Sequence, residues 1–294
     1  MLLSFASCGA CALCTSGYPA NCVKFVEINL IGGKDFSLSS SDADHREPGV
    51  SGSFFGQSSF ASMSIVNEKS VVNVKGLVSD EELKMFAPLG CGIQTGSGSI
   101  VNVAAAGPEH SVAIMGIGGV GMSAVMAANM RKCRTIIAID RVDSRLQLAK
   151  ELGATHVINT AEMESLDAVV SEVRGLTGGL GSSITLDTTG FLALIRKGVE
   201  FTGPKGKFLQ IGGTLPGEDK LEVSLTELLL TGKSLIGVTE GDAEPSKYVP
   251  EMIQWYREGN FPIDRIIKFF KAEDFEKALQ EMHTGETLKP VLVW

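Results

Sequence analysis

From Ser111 onward, short apolar runs alternate with longer stretches in which apolar positions recur every three or four residues. Ser111–Met115, Thr135–Ile139, His156–Ile158, Ser183–Leu186, Lys207–Ile211 and Leu235–Val238 read as strands. An Ala- and Met-rich stretch reaching about Asn129, then Ser144–Leu152, Met163–Gly175 and Phe191–Phe201, read as helices, with Gly153 placed to stop the second. Such alternation implies right-handed crossovers and a parallel sheet. Beyond Gly241 the pattern predicts a helix at Pro245–Glu258, a strand near Ile263–Ile267, a helix at Glu273–Met282 and a strand at Pro290–Val293.

The front of the chain has another texture. Residues 1–25 are loop-like and rich in Cys, Gly, Ala and Ser. Lys34–Ser53 is polar around Pro48 and reads as a surface loop. Met63–Val66 and Val71–Val74 look like short strands. There are no internal repeats.

Composition narrows the class. With 294 residues, 44% hydrophobic and 20% charged, the chain can bury a sizeable core in one to three domains. A net charge of −8 and the absence of a basic run argue against nucleic-acid or anionic-membrane partners. No apolar stretch approaches the roughly 20 residues of a membrane span. Met1–Ala6 is apolar, but no Lys or Arg precedes Lys24, and Cys8 and Cys11 interrupt the apolar stretch, so it is not read as a secretory signal. Six cysteines are too few for a disulfide scaffold in a chain this long, which favours reduced thiols and a cytoplasmic location.

Four of those cysteines stand together: Cys8, Cys11, Cys14 and Cys22, spaced C-x2-C-x2-C-x7-C. The spacing suits one tetrahedral zinc held by four thiolates. Lys24 alone supplies positive charge near them, so a zinc-ribbon nucleic-acid binder is disfavoured. Cys133, between Lys132 and Arg134, reads as an incidental thiol at a strand entrance.

Gly116-Ile117-Gly118-Gly119-Val120-Gly121 is G-x-G-x-x-G, after a predicted strand and opening a predicted helix. Gly116 permits the tight turn, Gly118 and Gly119 let a pyrophosphate approach the backbone near Val120, and Gly121 lets the helix sit close to the sheet. The helix N-terminus offers free N–H groups to phosphate. Asp140 closes the next strand 24 residues after Gly116, placed to bond the adenosine ribose hydroxyls, which favours NAD over NADP. Arg141 and Arg145 nearby pull the other way, because an arginine welcomes a 2′-phosphate.

With these motifs, Phe54–Ala61 (FFGQSSFA), Pro88–Gly96 (PLGCGIQTG), Gly241-Asp242 followed by Pro245, and Lys289–Leu292, the chain resembles the zinc-containing medium-chain alcohol dehydrogenases, nearest their aryl-alcohol branch. The resemblance implies an α/β fold: a Rossmann doubly wound parallel sheet at about 86–235, with an incomplete GroES-like β domain from residues 1–85 and a returning segment at 236–294. It implies a structural zinc on Cys8, Cys11, Cys14 and Cys22, and Cys91 as one ligand of a catalytic zinc. Thr95 would line the nicotinamide, and Ile211-Gly212-Gly213 and Asp187-Thr188-Thr189-Gly190 the cofactor cleft, although plain turn chemistry explains both of those equally well. It also implies a homo-oligomer, and an alcohol or aldehyde as substrate.

One departure qualifies the picture. The family's other catalytic-zinc ligands lie upstream of the cysteine lobe, the histidine in a Gly-His-Glu motif. This sequence has no such motif, and His45, His110, His156 and His283 stand in none of the matching contexts. The expectation is therefore a shortened family member that keeps its NAD and structural-zinc sites and performs the dehydrogenase chemistry poorly. The alternative is an NAD- and zinc-binding protein without that chemistry, serving as a subunit partner or in a repurposed role. Lost strands also predict exposed sheet edges and self-association.

Overall fold

The computed structural model describes residues 2–31, 53–57, 60–215, 217 and 219–294. The polar loop expected at 34–53 and His45 lie almost wholly outside the described residues. In chain order the elements are β1 (Leu2–Leu3), α1 (Ala12–Thr15), β2 (Val71–Val72), α2 (Leu83–Phe86), α3 (Gly92–Gly98), β3 (Ser111–Met115), α4 (Gly119–Met130) and β4 (Thr135–Asp140). Next come α5 (Asp143–Glu151), β5 (His156–Asn159), α6 (Asp167–Leu176), β6 (Ser182–Asp187), α7 (Leu192–Phe201), β7 (Thr202–Gln210), α8 (Leu225–Thr231) and β8 (Ser234–Gly237). The chain ends with α9 (Pro245–Arg257), β9 (Ile267–Lys271), α10 (Phe275–Thr284) and β10 (Lys289–Val293).

Six parallel strands form one sheet in the order β5-β4-β3-β6-β7-β8. The chain winds outward from β3 to β5, returns, and winds the other way from β6 to β8. The reversal opens a crevice at the carboxyl ends of β3 and β6, where ligands bind in folds of this kind. Period-two alternation divides the core between the sheet faces. Val112, Ile114, Ile136 and Ala138 pack with α4, α5 and α9, while Ala113, Met115, Ile137 and Ile139 pack with α6 and α7. Each fully buried Ile or Met here contributes about 2 kcal/mol of burial.

Helix α4 lacks an amphipathic stripe because it is covered nearly all round, with Met122 through Ala128 buried. The sheet lies on one side and α3 on the other. Small residues bring α3 in: a Cβ on Gly96 would lie 1.9 Å from the Val120 carbonyl oxygen. At the front, β1 pairs antiparallel with β2, and Ser4 Oγ donates to the Gly90 carbonyl at 2.8 Å. This ties the first residues to the segment that precedes Cys91.

The predicted parallel strands and their helices are present with ends moved by a few residues. Three expectations change elsewhere. Residues 63–66 form no strand, and Met63 and Ile65 are exposed. Of Val71–Val74 only Val71 and Val72 pair. Ile263–Ile266 is a 3-10 turn, because its i, i+3 spacing buries Ile263 and Ile266 together, and the strand begins one residue later as β9, parallel to β10. Helix α8 is an addition to the elements expected from the pattern, although its end signals are present. Ser224 Oγ accepts from the Glu227 N–H at 3.2 Å, and Gly232 closes the helix at φ +60°.

Candidate functional site

The glycine loop sits at the crevice. Gly116 has φ +84°, a turn that L side chains adopt only under strain, and its N–H donates to the Ile139 carbonyl at 2.8 Å. Gly118 is the extended residue before α4 and brings no side-chain cap, so among the described residues no capping side chain claims the N–H groups of the first helical turn. A Cβ on Gly118 would meet nothing within 4 Å, which leaves room for a group to lie on the backbone. The Cδ of Lys289 lies 3.7 Å from where a Cβ on Gly119 would be, so the stem of this lysine runs beside the loop, while its charge acts on Cys91. An open helix N-terminus with a lysine beside it fits a pyrophosphate.

Asp140 faces this loop from the end of β4. Its Oδ2 accepts from the Ile117 N–H at 2.6 Å, and its Oδ1 from the N–H groups of Arg141 (2.7 Å) and Val142 (3.0 Å). These bonds fix the carboxylate at the end of β4 against the glycine loop. Arg145 Nη1 stands 3.9 Å from Oδ2, and the buried Arg145 Nε has no hydrogen-bond partner among the described residues. Across the crevice, the N–H groups of Ile211 and Gly212 donate to the Asp187 carbonyl at 3.0 and 2.9 Å. The Asp187 carboxylate is occupied by Thr189, Gly190 and Gln210. Asp187 therefore works as a clamp between two turns, and what faces the crevice is their backbone.

Cys91 precedes α3, and its carbonyl accepts from both the N–H (3.0 Å) and the Oγ1 (2.9 Å) of Thr95. Thr95 Oγ1 also lies 3.3 Å from Glu240 Oε2, which accepts from Gln94 Nε2 at 3.0 Å. Burial raises the Glu240 carboxyl above the usual carboxylate range, against the opposing pull of these two donors. Cys91 is exposed by area, yet the protein wall around it is the main reason its thiol is raised, followed by the Glu240 charge, while Lys289 pulls it down. Glu240, Gln94 and Lys289 are site residues that the sequence alone does not single out. Lys289 opens a matching stretch, but only folding brings it to Gly119, and the burial of Glu240 has no sequence signal.

The four front cysteines converge. Their sulfur atoms all lie within 4.8 Å of one another, with Cys11–Cys14 at 3.5 Å and Cys8–Cys14 at 4.0 Å. A zinc with bonds of ~2.3 Å has tetrahedral sulfur–sulfur edges of ~3.8 Å, so the donor set fits. Backbone N–H groups already point at the sulfurs: those of Cys8 and Lys24 at Cys22 Sγ, and that of Cys11 at Cys8 Sγ, each at 3.4 Å. Backbone donors, the Cys14 N–H first, draw the Cys11 thiol down to about 6, and burial pushes the Cys14 thiol up to about 11. All six cysteines are free thiols. Among the described residues no group of three candidate ligands includes Cys91. Cys133 is buried and its thiol is pushed up to about 11, as befits an unreactive core residue.

Residues 119–258 match the family model described as zinc-binding dehydrogenase. The chain is 37% identical over 295 residues to geraniol dehydrogenase of Castellaniella defragrans, covering all of this chain and 76% of that protein. It superposes on an alcohol dehydrogenase zinc-binding domain protein from Burkholderia ambifaria with a TM-score of 0.88 at 40% identity, covering 99% of this chain and 76% of that one. Benzyl alcohol dehydrogenase from Acinetobacter calcoaceticus superposes with a TM-score of 0.86 at 35% identity, with the same shares covered. Sequence and fold agree: this chain belongs to the zinc-containing medium-chain alcohol dehydrogenase family.

Proposed function

We propose that the chain binds NAD in the crevice and one zinc in the cysteine lobe, and serves oxidation of an aryl or other primary alcohol to its aldehyde. The observation that carries the reading is the meeting of the glycine loop, Asp140 and the Lys289 stem, with Cys91 just before, and Thr95 on, the helix packed against α4. The relatives with matching chains include a geraniol and a benzyl alcohol dehydrogenase, which supports an alcohol substrate.

NAD would supply the hydride acceptor; Cys91 stands in no group of three candidate ligands among the described residues, so no metal-borne step is assigned to it. The chain's own residues set the stage. Asp140 orients the adenosine ribose, and its charge disfavours a 2′-phosphate. The first turn of α4 and Lys289 neutralise the pyrophosphate. Thr95, held by the Cys91 carbonyl, bounds the nicotinamide end, and the turns at Thr188–Gly190 and Ile211–Gly213 close the opposite wall.

Replacing Asp140 by Gly tests the cofactor claim: NAD affinity should fall about tenfold, and an unchanged affinity would contradict the reading. A second reading, binding of NAD and one zinc without the chemistry, is favoured by the isolation of Cys91 among the described residues. A metal count decides between them. Two zincs per chain with NAD reduction by benzyl alcohol supports the enzyme, and one zinc without reduction supports the partner protein. The exposed leucines of α8 support a homo-oligomer.

A further inference from the structure

Glu240 occupies an unusual place. It begins three successive residues in the left-handed region, with φ of +51° at Glu240, +67° at Gly241 and +49° at Asp242. Such a run is costly for Glu and Asp, and strain of this kind persists only where the surroundings enforce it. They do so here. A Cβ on Gly241 would lie 2.5 Å from the Gln94 carbonyl oxygen, so only glycine lets the turn press on α3. Asn102 Nδ2 donates to the Gly241 carbonyl at 3.0 Å, and Asn21 Nδ2, just before Cys22, donates to Asp242 Oδ1 at 3.1 Å.

The held turn aims the Glu240 carboxylate into the protein, where the residue is 8% exposed. Buried carboxylates are ordinarily paired with a cation. Glu240 has instead two neutral donors, Gln94 Nε2 and Thr95 Oγ1, and no ion-pair partner among the described residues. Gln94 Nε2 also reaches Ser4 Oγ and the Gly90 carbonyl at 3.0 Å each, so the charge sits in a network spanning β1, the Cys91 segment and β8's exit. A neutral glutamine at position 240 could accept the same two bonds without burying a charge. Burial alone favours the protonated carboxyl, and a cationic ligand beside Thr95 would be what holds it ionised. Oxidised nicotinamide carries a positive ring and reduced nicotinamide does not.

Resting on the cofactor reading above, we propose that Glu240 is a positioning residue for the nicotinamide end of the cofactor: its carboxylate holds Thr95 and Gln94 and sets a negative charge that favours the oxidised ring over the reduced one. The adenosine and phosphate end, at Asp140 and the glycine loop, lies outside its reach.

Titration calorimetry of the full chain with NAD+, NADH and ADP-ribose tests this, with zinc content measured on each sample. Wild type should bind all three. Glu240→Gln should weaken NAD+ about tenfold relative to NADH while leaving ADP-ribose and zinc content unchanged. Glu240→Asp, which keeps the charge, should retain the wild-type NAD+ to NADH ratio, and it covers the case in which the glutamine variant folds poorly. If the affinities for all three ligands move together, or none moves, or zinc is lost in their place, the inference about Glu240 is overturned and the cofactor reading stands. If wild type binds none of the three, the cofactor reading falls and this inference with it.

Discussion

A methyl group on Gly121 would lie 1.8 Å from the carbonyl oxygen of Gly116, so the loop over the crevice exists only because neither residue carries a side chain. The contact lets α4 begin against the end of β3 and turns its first N–H groups outward. Gly121→Ala forces the loop and helix apart. The expected cost is about 2 kcal/mol, in the range of overpacked cores, with a drop in Tm of roughly 6 °C by thermal unfolding. Loss of NAD binding should exceed what that destabilisation accounts for.

Lys289 tests the phosphate end of the site independently. Lys289→Met keeps the aliphatic stem that runs beside Gly119 and removes only its charge, and β10 keeps its pairing with β9 through the backbone. NAD affinity should fall about tenfold at low salt. Raising the ionic strength should narrow the gap between wild type and variant, because screening weakens the same interaction.

The cysteine lobe has little apolar core of its own, so its order should depend on metal. Cys11→Ser should lower bound zinc by one per chain, read by elemental analysis, and prolonged chelation should empty the lobe. The peptide bonds between Cys8 and Cys22 should then become the first to be cut by a protease, while the parallel sheet stays protected in hydrogen exchange.

Acid should act on the C-terminal segment through Glu281. Its carboxyl is held below the usual range, first by Lys268 at 2.6 Å and then by Thr287 Oγ1 at 2.6 Å. A depressed folded-state value means that the stabilisation is present above the unfolded carboxyl value, about 4.3, and is lost as pH falls through the lower folded one. The Tm difference between wild type and Glu281→Gln should therefore be constant from pH 8 to about 5 and shrink below about 4.3.

Leu225, Leu229 and Leu230 of α8, the helix between β7 and the edge strand β8, are 79%, 80% and 79% exposed. Large exposed leucines clustered on one short helix suit an association surface. Leu229→Lys should lower the weight-average mass in sedimentation at micromolar concentration without changing the far-ultraviolet spectrum. A wild type that sediments as a monomer would remove this surface from consideration.

How much is readable in the sequence varies with the physics behind each feature. The parallel strands are legible because strands buried on both faces become short apolar runs. The glycine loop is legible because backbone approach demands residues without side chains at fixed spacing. Helix α8 carries its capping signals openly, at Ser224-x-x-Glu227 and Gly232, but its leucines suggest no particular face and so do not mark it as a helix. Ile263 and Ile266 mislead, since two apolar residues three apart fit a 3-10 turn as well as a strand.

The sequence by itself determined the local chemistry: four thiols spaced for one metal, glycines spaced for a backbone turn, a carboxylate one strand later, and the alternation that makes a parallel sheet. Each depends on neighbours close along the chain, so spacing suffices to specify it. The tertiary structure alone decided which distant residues meet. Lys289 reaches Gly119 across 170 positions, and Glu240 reaches Thr95 across 145, because β10 returns to the loop and a left-handed turn presses into α3. Those contacts are set by packing between elements, and no local pattern encodes which faces will touch.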